Sequence, residues 1–214
     1  MRSKDAGSTF VELMVAMLLT GLIAGASYSV YLTHQRTATD QEQVVEAQDN
    51  LRAAMNFLER RIRMAGLDPD CSGTGCNGIV TAQANTLTFT TDFHNEDSVR
   101  SPAETVTFTL ADSLNDGDND LVMSVDGGAN QPIALNIDAL DFVYLDRNGN
   151  VTANTDQIRA IQVTVVARTD RPDPGHIDTI QYQNQQGQVI FGPANDNFRR
   201  RLLTQTVKCR NLGV

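Results

Sequence analysis

The sequence predicts an α+β chain. One long N-terminal helix, membrane-spanning in its first half, packs in its second half on a head of antiparallel β-sheet. Three observations carry this. Residues 10–32 are apolar with a single formal charge, Glu12. Apolar residues then recur in steps of three and four as far as Ala65. From Ile79 onward the period falls to two, in threonine-rich runs typical of strands with one buried face. The implied organisation is a leader over 1–7, a membrane helix over 8–32, an amphipathic continuation over 33–67 and a β-rich head over 68–214.

At 214 residues the chain can form one membrane helix and one domain with a true core. Its net charge of −9 argues against nucleic acid as a partner, and the only run of like charge is Arg199-Arg200-Arg201.

The first element is justified by length. A helix rises about 1.5 Å per residue, so residues 10–32 cover a hydrocarbon core of roughly 30 Å. A secretory signal would end in a small-residue cleavage site after the apolar run, whereas here Arg2, Lys4 and Gly7 all precede it. Glu12 is the anomaly. A carboxylate inside a spanning helix costs at least about 2.5–3.5 kcal/mol, so it needs a partner.

The helix continues because nothing breaks it. Val44, Ala47, Leu51, Ala54, Met55, Leu58, Ile62 and Ala65 form one narrow stripe, with Glu42, Glu46, Asp49, Arg52, Arg60 and Arg63 among the residues of the other face. Gly66 and Pro69 supply the stop, predicting a rod of roughly 85 Å from Phe10 to Ala65. With about three heptads, docking on a sheet is favoured over a free coiled-coil stalk.

A glycine-rich loop carries Cys71 and Cys76. In an oxidising compartment these two would close a small disulfide ring, and Cys209 is an alternative partner for either. Zinc would need further soft ligands nearby, and His34, His94 and His176 are scattered. Strands are expected over 86–91, 104–110, 121–125, 139–145, 158–168 and 201–208, forming an antiparallel sheet with one solvated face.

Two acidic turns place oxygen ligands at alternate positions: Asp116, Asp118 and Asp120 in one, Asp146, Asn148 and Asn150 in the other. Calcium is the one cofactor they suggest. Neither turn completes the twelve-residue loop with its bidentate glutamate, and Asp, Asn and Gly also favour plain hairpin turns. No nucleophile elbow, zinc-protease helix or phosphate loop is present, so the chain does not read as an enzyme.

The N-terminal pattern, a basic leader, Gly7, then Glu12 and an apolar run, resembles the class III signal of type IV prepilins. The segment from Asn56 to Gly66 and the closing run from Arg199 to Leu212 resemble PilW-type minor pilins and J-type pseudopilins. The resemblance implies a type IV pilin-like fold and cleavage by a prepilin peptidase between Gly7 and Ser8. It also implies N-methylation of Ser8, which stands where the family usually has phenylalanine. Glu12 would then pair with the N-terminal ammonium of a neighbouring subunit and set the axial register.

The implied partners are other pilins through the N-terminal helix, the peptidase, the inner-membrane assembly platform and the membrane itself. The implied location is a single pass of the bacterial inner membrane with a periplasmic head, then the pilus and cell surface. The implied function is a minor pilin that helps initiate a type IV pilus, near its tip. The alternatives are a J-type pseudopilin of a type II secretion system and, from a different class, a membrane-anchored enzyme or binding module.

Overall fold

A computed structural model describes residues 9–67, 78–92 and 104–212. The chain divides into two compact units, Met1–Glu42 and Gln43–Val214. Helix α1 (Phe10–Arg63) begins in the first. Thr9 caps it: its carbonyl accepts the Leu13 N–H at 3.2 Å and its hydroxyl the Glu12 N–H at 3.4 Å.

In the second unit the stripe is buried as its spacing predicts. Ala47, Leu51, Ala54, Met55, Leu58, Ile62 and Ala65 are enclosed, while Val44 is half-exposed. Full burial of a leucine, isoleucine or methionine side chain contributes about 1.5–3 kcal/mol, so this stripe anchors the head. The helix ends two residues before the expected Ala65 and turns at Gly66, whose φ of +77° is the left-handed conformation glycine adopts without strain.

Five strands form an antiparallel meander in chain order: β1 (Ile79–Ala82), β2 (Leu87–Thr91), β3 (Glu104–Ala111), β4 (Asp120–Val125) and β5 (Gln131–Ala134). Leu87, Phe89, Val106 and Phe108 face the core, and Phe57 of α1 packs edge-on to Phe108 at 6.4 Å. The threonines of the other face meet across strands, Thr88 with Thr107 at 3.0 Å.

A second sheet holds β6 (Ile137–Leu145), β7 (Ala160–Arg168) and β10 (Arg200–Lys208), in the order β10-β7-β6. Leu140, Phe142, Tyr144, Ile161, Val163 and Val165 join the same core as the helix stripe. The two sheets are tied where the Phe142 N–H reaches the Ala84 carbonyl at 2.7 Å and the Tyr144 hydroxyl reaches that of Gln83 at 2.7 Å.

The six expected strands are present, as part of two sheets rather than one. The expected solvated face is also covered on β6 and β7. A hairpin of β8 (Tyr182–Gln183) and β9 (Val189–Phe191) lies over it, where Tyr182, Ile190 and Phe191 cluster with Ala139 and Val166. The physical reason is visible in β7, where Val165 and Val166 are neighbours and both fully buried, so both pleat faces need cover.

Candidate assembly surface

The first unit presents a surface that water does not tolerate. Every side chain from Thr9 to Thr39 is exposed, including Phe10, Val11, Met17, Leu18, Leu22 and Ile23. This is the one helix among the described residues long and apolar enough to cross a membrane. Its polar groups are largely satisfied internally. Thr20, Thr33, Thr37 and Thr39 donate their hydroxyls to carbonyls four residues back at 2.8–3.1 Å.

Glu12 is the exception. It lies in the first turn, where the positive end of the helix dipole favours a carboxylate, yet it has no ion pair among the described residues. A carboxylate on an otherwise uncharged apolar surface carries the full cost of an unpaired charge when that surface is in lipid. Gly7 and Ser8, the expected cleavage and methylation positions, lie outside the described residues, as do Cys71, Cys76 and His94.

Cys209 is described: free and buried, its thiol pushed up to about 12 by that burial, with the Arg159 charge opposing. The acidic turns are bonded to themselves and to the sheet. Asp120 accepts from the Ser113 N–H and hydroxyl and from the Asn136 N–H. Asp118 binds Arg168 at 2.6 Å, and Asp116 accepts the Asp118 N–H.

Asp146 takes the N–H groups of Asn148 and Asn150 at 2.8 Å, and hydrogen bonds led by the Asn150 amide hold its carboxyl below the ordinary range. The Asn150 side chain closes the same turn. Asn115 and Gly149 adopt the left-handed backbone that such turns require. No group of three or more His, Cys, Asp or Glu is placed to hold a metal ion among the described residues.

One feature was missed in reading the sequence. Arg200, its side chain 2% exposed, bonds Asp138 at 2.5 Å, Asp178 at 3.0 Å and Asp196 at 2.6 Å, and lies 4.9 Å from the Phe191 ring centre. The carboxylates come from β6 and from the segment between β7 and β10, so one guanidinium pins the outer layer to the sheet. Burial works against the charge of Arg200, but Asp196 and Asp138 hold its pKa above the ordinary value. Burial raises Asp138, while the Arg200 hydrogen bond lowers Asp196. The cue in the sequence was the arginine run beside a strand, which charge counting alone reads as a solvated patch.

Two family profiles match. The Prokaryotic N-terminal methylation motif covers residues 2–28, the leader and the apolar helix. Type IV Pilus-assembly protein W covers residues 136–211, which is β6 to β10 with the buried arginine network. A solved type IV-like pilin from Thermus thermophilus superposes with a TM-score of 0.52 at 13% identity, over 78% of this chain and 98% of its own. The chain has a type IV pilin-like fold and carries a PilW domain. At that identity the structural match establishes the fold, and the two profiles supply the rest. No curated protein matches the sequence. The chain thus joins an N-methylation motif on an apolar helix to a PilW-type head.

Proposed function

We propose that this minor pilin is cut between Gly7 and Ser8, methylated at Ser8, and inserted by Glu12 into the core of a type IV pilus, where it helps initiate assembly near the tip. The single supporting observation is the lone Glu12 carboxylate on the exposed apolar first half of α1. Cleavage would create the complementary ammonium on each neighbour, so extraction from the membrane neutralises both charges together. In this reading the periplasmic head contributes lateral contacts and the helix contributes the axial register. A J-type pseudopilin would share the signal and the fold. The match of the PilW profile over residues 136–211 supports the pilin reading that both share.

Mass spectrometry of the native N-terminus tests the processing step: Ser8 as first residue carrying one methyl group is expected, and a chain beginning at Met1 overturns the reading. Gly7→Ala should leave an uncleaved precursor. Glu12→Ala should be cleaved yet missing from sheared filaments, whereas a protein using its helix only as an anchor would work normally with that change.

A further inference from the structure

Most strand edges of the head are closed or interrupted. β1 and β5, which bound the larger sheet, have four residues each and a register slip, and β5 contains Pro132. The outer edge of β6 is taken by Ala84, Asn119 and Thr152. β10 differs from all three.

It runs nine residues in unbroken register with β7, from Arg200 opposite Arg168 to Lys208 opposite Ala160. The Cys209 N–H bonds the Arg159 carbonyl at 3.0 Å and the Thr169 N–H bonds that of Arg199 at 2.9 Å, which marks odd-numbered β10 residues as the bonded partners. Alternation in an antiparallel ladder then turns the N–H and C=O of Leu202, Thr204, Thr206 and Lys208 away from β7. No described group bonds them.

The charge of this edge opposes that of the chain. Five basic residues and no acidic ones lie between Phe198 and Leu212 in a protein of net charge −9. Arg199 is paired with Asp173 and Arg200 with its buried carboxylates, while Arg201, Lys208 and Arg210 have no ion pair among the described residues. The three unpaired cations leave the edge open to a segment of opposite charge.

We propose that β10 is a docking edge that takes an extended acidic segment of another protein as a fourth strand of the β10-β7-β6 sheet. Backbone hydrogen bonds would give the affinity and Arg201, Lys208 and Arg210 the selectivity. The inference stands apart from the pilus reading, since the edge is the same whichever assembly the chain joins.

The test uses the full chain in detergent micelles and a nine-residue peptide of glutamate and valine with glutamates on both faces of its strand, read by amide hydrogen exchange. The peptide should slow exchange at Leu202, Thr204 and Thr206. Thr206→Pro removes an outward N–H at an exposed position, and should weaken binding about tenfold while β7 stays protected. Arg201→Glu with Lys208→Glu should weaken it about tenfold and confer binding of a lysine–valine peptide instead. Unchanged exchange at β10 with the acidic peptide overturns the proposal. So does a charge-reversed chain that binds both peptides as the unmodified chain does.

Discussion

Replacing Arg200 by methionine should release the outer layer of the head. The guanidinium is 2% exposed and the Asp178 carboxylate 0%. Without it, Asp178 keeps only the Tyr182 hydroxyl at 3.1 Å and the Ile180 N–H at 3.0 Å, and Asp138 keeps Arg168 at 3.9 Å. Stranding a buried charge in this way costs about 3–5 kcal/mol, a large share of the roughly 5–15 kcal/mol that holds a typical domain together.

The loss should concentrate where the carboxylates come from, so that Tyr182 and Phe191 detach and uncover Val166 and Ala139. Urea unfolding of the full chain in detergent gives the magnitude, and amide exchange over β8 and β9 gives the location. Adding Asp178→Asn removes the stranded charge and should recover part of the loss, an interaction that a double-mutant cycle reads directly. A cost below about 1 kcal/mol for Arg200→Met, or a further loss on adding Asp178→Asn, would refute the clamp.

Leu58→Ala, at a fully buried position of the helix stripe, should destabilise the head by about 2–5 kcal/mol in urea, whereas exposed Asn56→Ala should shift it by less than about 0.5 kcal/mol. Gly66→Ala forces a side chain into φ +77° and a Cβ within 2.6 Å of Leu212. The strained backbone alone should cost about 1–2 kcal/mol, and Leu212→Ala should not restore that part in thermal melts.

Acid should loosen the outer layer. Asp196 is held low by Arg200 and Asp173 by the Gly175 N–H and Arg199, so the folded chain binds these protons more weakly than the unfolded one. Their contribution is complete above the ordinary value of 3.8 and is lost as pH falls below it, with Asp138, raised by burial, opposing in the same range. Urea midpoints measured from neutral pH downward should fall below about pH 4, and less steeply in Asp196→Asn.

Much of the head was legible in the sequence because its cues are local. The steps of three and four from Ala47 to Ala65 could belong only to a helix buried on one side, and the alternation at Leu87, Phe89 and Thr91 only to a strand covered on one face. The segment between β7 and β10 was opaque for the opposite reason. Its strands are two and three residues long, and its cohesion comes from Asp138, Asp178, Asp196 and Arg200, up to 62 residues apart. No periodicity encodes such a set.

The acidic turns show the same divide. Composition marks them as oxygen-rich, but which oxygens are already taken depends on Arg168 and Asn136 arriving from elsewhere. By itself the sequence determined an apolar helix with one carboxylate, a buried stripe and a β-rich head, since each follows from the chemistry of neighbours along the chain. Only the tertiary structure decided that there are two sheets, that an arginine is buried at their outer layer, and that β10 has an open edge. Each of those depends on distant residues meeting in space, and the energies of such meetings are set by burial, which a linear pattern does not contain.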